Sequence, residues 1–241
     1  MNETLEEMAR TLFKSWFVDF DPVRAKLDGR QPAGMDAETA ALFPAEFQDS
    51  ELGKIPKGWE VKSLGDLVTV SSGKRPGKRN KVRDSSFNFE LFGAGGVMGF
   101  VQEPYDTPPF LLTGRVGTLG EVFRITAPCW PSDNTIILKP NNNSLFDFCT
   151  FTLASVNLKK LNRGSTQPLL TQTDVKKISV VEATKELMSV FQAKADKIYR
   201  IIENNVEQRK LLASLRDTLL PKLLSGELRI KDAEKFVENA L

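Results

Sequence analysis

Apolar residues open the chain at Leu5, Met8, Ala9, Leu12, Phe13, Trp16 and Phe17. Steps of three and four lay them along one face, which predicts an amphipathic α-helix. Glu3, Glu6 and Glu7 fall in its first turns, where carboxylates suit the helix dipole. Pro22 predicts a break soon after. Residues 28–58 carry prolines and glycines with little periodicity and predict a covering arm or linker. From Trp59 to about Val181 short apolar runs alternate with Gly, Pro, Asn and Asp. They predict strands at Leu67–Val70, Phe110–Thr113, Glu121–Ile125, Thr135–Leu138 and Ile178–Val181, and a helix over Phe146–Val156. The glycine-rich stretches Gly93–Gly99 and Gly114–Gly120 predict turns where backbone passes close to another group.

From about Lys185 to Leu224 the pattern becomes one long helix, free of proline and glycine until Pro221. Phe191, Ile198, Asn205, Leu212 and Leu219 recur every seven residues, and Lys194, Ile201, Gln208 and Leu215 fill the second heptad position. That is a coiled-coil seam with polar residues in its middle, which set register at some cost in stability. Such a rod spans about 60 Å and needs a partner helix for part of its stripe. The expected helix-pairing residues are Phe191, Ile198, Ile201, Asn205, Leu212, Leu215 and Leu219. The fold class expected is α+β: a mixed α/β domain followed by a long coiled-coil helix. The expected divisions are residues 1–57 (helix and arm), 58–182 (globular domain), 183–228 (long helix) and 229–241 (charged tail).

Composition narrows the function. The chain has 241 residues, 41% hydrophobic and 27% charged, as expected of a globular protein. It has no apolar run long enough to cross a bilayer and no basic-then-apolar leader at its start, so a cytoplasmic location is expected. There is no histidine, which removes Ser-His-Asp and Cys-His nucleophile systems and ordinary zinc hydrolase sites. Two cysteines, Cys129 and Cys149, cannot complete a structural zinc site or a disulfide scaffold. No metal site and no catalytic residue is expected. Charge is uneven: residues 1–57 carry a net −4, 58–181 a net +5 and 182–241 a net +1. The basic middle block is the footprint of a polyanion binder.

Four elements within that block could carry function. The run from Ser71 to Arg83 places six cations in ten positions: Lys74, Arg75, Lys78, Arg79, Lys81 and Arg83. Such a loop neutralises phosphates, and its arginines reach guanine edges; the plain alternative is a solvated surface loop. The run from Leu158 to Pro168 leads Lys159, Lys160 and Arg163 into Ser165, Thr166 and Gln167. Gln pairs with adenine and the hydroxyls hold phosphate; alternatively, Gly164 caps a helix and the polar residues form its exit turn. Arg115 projects between Gly114 and Gly117, suited equally to DNA or to a structural ion pair. Phe92–Gly96 with Thr107–Phe110 imitates a methyltransferase: a glycine-rich cofactor loop and an Asn-Pro-Pro-Phe-like tetrapeptide. Those motifs belong to different βα units of about 30 residues each. Here they lie about ten residues apart, so turns and a strand start account for them. Asp133 is the one interior acid worth examining, and a turn explains it.

Several longer segments carry a resemblance. Leu5–Val23, with Leu12–Phe13–Lys14–Ser15–Trp16–Phe17–Val18–Asp19–Phe20–Asp21–Pro22–Val23, resembles the central conserved region of type I restriction–modification specificity subunits. Asp49–Trp59 is similar to the lead into a target-recognition domain of that family, and Gly164–Pro168 to a recurrent turn near its end. Arg216–Leu228 resembles the end of the family's distal conserved helix. The resemblance implies a non-catalytic subunit that reads half of a bipartite site on double-stranded DNA. It implies docking to methylation subunits, which hold S-adenosylmethionine and flip out adenine, and through them to restriction subunits. This chain needs no cofactor of its own on that view. The family's members carry two recognition domains, and this chain carries one. A half-subunit is then expected to pair with itself through the long helix and to favour an interrupted palindrome. Two other classes remain in view: a stand-alone methyltransferase or nuclease, and a module that only binds protein.

Overall fold

The computed structural model describes residues 1–164 and 166–227. Helix α1 (Asn2–Phe17) leads into α2 (Asp21–Leu27), α3 (Ala37–Ala41) and the strands β1 (Phe47–Ser50) and β2 (Gly53–Pro56). Then follow β3 (Glu60–Ser63), α4 (Leu64–Leu67), β4 (Val68–Ser72), β5 (Phe89–Gly93), β6 (Gly96–Val101), β7 (Phe110–Gly114) and β8 (Val122–Ile125). The chain goes on through β9 (Trp130–Pro131), β10 (Thr135–Pro140), α5 (Phe146–Ser155), α6 (Gln172–Lys176), β11 (Ser179–Glu182) and α7 (Lys185–Leu224). The fold is α+β with a long final helix, as the sequence predicts. The chain divides into two compact units, Arg10–Lys194 and Met1–Ala9 with the residues from Ala195 onward. The tail from residue 229 lies outside the described residues.

In the larger unit the main sheet has the order β4-β10-β7-β8, all neighbours antiparallel. Its two central strands are the most apolar stretches of the domain: Phe110, Leu111, Leu112, Ile136, Ile137 and Leu138 are buried on both faces. A continuous apolar run is what a strand covered on both sides requires. Phe110, Leu112 and Ile137 meet Ile125 and Cys129 in one cluster, flanked by Phe92, Tyr105 and Phe123. A second sheet, β6-β5-β9, pairs β5 antiparallel with β6 and parallel with β9. Strands β3 and β11 form a separate antiparallel pair, and β1 with β2 a hairpin.

Two expectations change. Residues 28–58 are not a featureless arm: they hold α3 and the β1–β2 hairpin, and they bury Phe43 and Ile55. Gly93–Gly99 is only partly a turn, because Gly96 opens β6. Glycine lowers strand propensity, but Gly99 is needed there: a Cβ would stand 2.7 Å from the Asn80 carbonyl oxygen.

The helices close over a nest of aromatic rings. Phe17 of α1 packs edge-on against Phe191 of α7 at 5.0 Å and against Phe148 of α5 at 5.2 Å. Phe13 meets Phe151 at 5.5 Å, and Trp16 meets Phe43 at 5.1 Å. Each such pair adds about 0.5–1.5 kcal/mol beyond area burial. Beneath them lies a buried charge network. Asp147 of α5 is fully buried and takes Arg124 Nε of β8 at 2.7 Å and Nη2 at 3.3 Å. Gln192 of α7 donates to the same carboxylate and accepts from the Asp147 backbone N–H at 2.9 Å. One network therefore ties sheet, α5 and the first turns of α7 together.

Candidate nucleic-acid interface

The basic loop begins where β4 ends. Gly73 donates to the Thr135 carbonyl at 3.2 Å, and Lys74 N–H to the Pro131 carbonyl at 3.0 Å. Trp130 Nε1 donates to the Lys74 carbonyl at 2.7 Å. Gly73 has to be glycine, since a Cβ would lie 2.2 Å from the Ser132 carbonyl oxygen. The loop is caught again at Asn80, which exchanges backbone hydrogen bonds of 2.9 and 2.8 Å with Phe100. Arg75 to Arg79 thus form a short excursion pinned at both roots, with Arg75, Lys78 and Arg79 exposed.

Arg115 follows β7. Its N–H donates to the Asn134 carbonyl at 2.8 Å, and its own carbonyl accepts from Leu170 N–H at 2.8 Å. Gly117 N–H donates to the Pro168 carbonyl at 3.0 Å. Gln172 Nε2 donates to Ser72 Oγ at 2.8 Å. Backbone bonds therefore stitch four separate segments into one edge: the loop root at 73–74, the turn 132–135, the Arg115 loop and the segment 168–170. Lys159 joins through its stem, whose Cε lies 3.4 Å from where a Gly120 Cβ would stand. In the sequence these cations are separate candidates, and the structure brings their segments together.

Most of these charges are unspent. Among the described residues, Arg75, Lys78, Arg79, Lys81, Arg115, Lys159 and Lys160 show no ion pair within 4.0 Å. Lys74 stacks on the Tyr105 ring at 5.1 Å, and Arg83 donates to Asn88 Oδ1 at 2.8 Å. Arg163 departs from the expectation. Its Nη2 pairs with Asp174 Oδ1 at 2.7 Å, and Nε reaches both carboxylate oxygens at 3.2 Å. That guanidinium holds the Asp174 carboxyl below its ordinary range, and the carboxylate in turn raises Arg163. Arg163 braces the turn rather than standing free for a base. Gly164 caps no helix, because the preceding 3-10 turn ends at Leu161. Asn162 Oδ1 holds the turn instead, accepting from Gly164 N–H at 2.9 Å and Leu169 N–H at 2.8 Å. Thr166 and Gln167 are exposed, and Ser165 lies outside the described residues.

An open cleft of about 450 Å³ runs beside the loop, lined by Arg75, Arg79, Met98, Ser132, Asp133 and Asn134. The sequence did not single out Met98, Ser132 or Asn134. Their nearness to the loop comes from backbone bonding between residues about twenty apart for Met98 and some sixty apart for Ser132 and Asn134, which leaves no local signal. Burial raises the Cys129 thiol to about 12 and pushes Cys149 up as well. Both stay protonated at neutral pH, unlike a reactive thiolate. No three His, Cys, Asp or Glu side chains group as metal ligands among the described residues. No described helix is long and apolar enough to cross a membrane.

The profile of the type I restriction modification DNA specificity domain matches residues 56–181, over half of the chain. The chain belongs to that family. It is 28% identical to the Haemophilus influenzae type I restriction enzyme HindI specificity subunit, over 95% of this chain and 62% of that one. It is also 28% identical to the Methanocaldococcus jannaschii type I restriction enzyme MjaIX specificity subunit, over 96% of this chain and 54% of that one. The chain thus spans little more than half the length of these relatives. The crystal structure of a type I restriction–modification S subunit from M. genitalium shares the fold, with a TM-score of 0.58 at 19% identity. That match covers 92% of this chain and 55% of the other.

The helix-pairing list is also revised. Phe191 is fully buried inside the chain's own aromatic nest. Asn205 Nδ2 donates to Asn2 Oδ1 of the same chain at 2.8 Å. A heptad pattern says that a stripe must be covered, not by which helix, and α1 takes both positions. Ile198 and Leu215 are half-buried, and Leu219 is buried. Ile201 and Leu212 stay about half exposed, as do Leu211 and Leu220.

Proposed function

We propose that this chain is the DNA-reading part of a type I restriction–modification complex, without catalysis of its own. The observation that carries this is the edge of unpaired cations gathered from three chain segments: the loop 75–81, Arg115 and Lys159–Lys160. Cations left without acidic partners on one rigid edge suit phosphate neutralisation and groove contact. On this reading the edge grips one half of a bipartite duplex site in the cytoplasm. The exposed leucines of α7 support docking to methylation subunits and self-pairing of two chains. S-adenosylmethionine then belongs to the methylation subunit, and restriction subunits join through it.

The test is to copurify the chain with its cognate methylation subunit and map adenine methylation on genomic DNA. An interrupted palindrome is expected, from two identical readers related by a two-fold axis. An asymmetric bipartite motif replaces self-pairing with a second, different recognition domain. A complex that forms but leaves adenine unmethylated overturns the DNA-reading role.

A further inference from the structure

Asp133 is an acid on the edge that carries the unpaired cations. It lines the same cleft as Arg75 and Arg79, yet among the described residues no cation lies within ion-pair distance of it. An unpaired carboxylate there repels phosphate and weakens binding to every sequence alike. It gains a use only if it accepts a hydrogen bond from the DNA itself. In the major groove the donors are the exocyclic amines, cytosine N4 and adenine N6. Asn134 stands beside it with an unengaged side-chain amide, a group that matches the N6 and N7 pair of adenine.

The turn that presents them is rigid. Thr135 donates from N–H at 3.0 Å and from Oγ1 at 2.7 Å to the Ser132 carbonyl, and both residues are buried. The Asn134 carbonyl is fixed by Arg115 N–H at 2.8 Å. The loop root packs on the same turn through Gly73 and Lys74. The backbone is thus locked while Asp133 and Asn134 point two exposed polar side chains outward, the arrangement a base reader needs. The flanking arginines would hold the phosphates on either side.

We infer that the Asp133–Asn134 turn is a specificity-determining element that reads a base edge offering an exocyclic amine. Asn134 takes adenine and Asp133 takes cytosine or adenine, while the loop cations supply sequence-independent grip. This assignment rests on the DNA-reading function proposed above.

The experiment selects duplexes from a randomised pool with the chain assembled on its methylation subunit, for wild type, Asn134→Ala and Asp133→Ala. Each variant is expected to melt with the wild type, because neither side chain has a partner among the described residues. Each should keep the salt slope of binding and lose about tenfold or more of its preference at one base position. Asn134→Ala relaxes an adenine; Asp133→Ala relaxes a cytosine or adenine. Retention of the full wild-type preference in both variants overturns the assignment. So does Asp133→Ala if it tightens binding to all sequences equally, which would make the carboxylate a repulsive charge only. A wild type that selects no sequence fails earlier: it removes the recognition function, and this assignment with it.

Discussion

The helix junction and the cationic edge sit in the same compact unit and treat charge in opposite ways. At the junction, Arg124 and Asp147 are withdrawn from water, and every group in the network is answered by another. At the edge, arginines and lysines face solvent without acidic partners, and the backbone beneath them is locked by hydrogen bonds. The first region gains stability from its side chains. The second takes its rigidity from the main chain and leaves its side chains free. Fold and function are thereby carried by different atoms, and substitutions should separate them.

The largest effect is expected at the junction. Asp147→Ala leaves Arg124 buried beside an empty acceptor, which costs about 3–5 kcal/mol. Phe191→Ala opens a cavity among Phe13, Phe17 and Phe151, for a similar loss of about 3–5 kcal/mol. Urea unfolding measures both as a lowered midpoint with an unchanged slope. A loss below about 1 kcal/mol for either variant would break the comparison, because the junction would then not be where stability resides.

The cationic edge should respond the other way. Replacing Lys78 and Arg79 together by alanine is expected to leave unfolding within about 0.5 kcal/mol of wild type. DNA affinity should fall across all sequences, and the slope of log affinity against log salt should flatten by about 2. Titrations across a salt series, with the chain in its complex, read this directly. Unchanged slope and affinity would move the phosphate contacts away from this loop.

The same contrast explains what could be read from the sequence. Phe110–Thr113 and Thr135–Leu138 announced themselves because a strand covered on both faces must be apolar throughout. The long helix showed in its heptads, since Phe191 and Leu219 repeat at a helical period. Strands β5 and β6 were hidden by Gly93, Gly96 and Gly99, which depress strand propensity; Gly99 is there for close approach to the Asn80 backbone, and Gly96 for its positive φ. The cations were visible as residues but not as one surface. Their gathering depends on main-chain bonds such as Arg115 to Asn134 and Gly117 to Pro168, which carry no side-chain signature. For the same reason Arg163 looked like its neighbours, although among the described candidate DNA contacts it alone is committed to a carboxylate within the chain.

Arg163 gives the smallest and most conditional effect, one that depends on pH. The Asp174 carboxyl is lowered first by its hydrogen bond from Arg163 and next by that from Thr171. A carboxyl depressed in the folded state contributes stability that is present above its unfolded value, near 4, and lost as pH falls through the folded value. Arg163→Ala removes the largest cause of that depression while leaving Thr171 in place. Wild type and variant should therefore differ in stability at neutral pH and converge as the medium is taken below pH 4 and then below the folded value. Thermal melts across that range test it. A gap that persists in acid would mean that Arg163 stabilises the turn by packing, not by charge. It would then belong with the junction rather than with the edge.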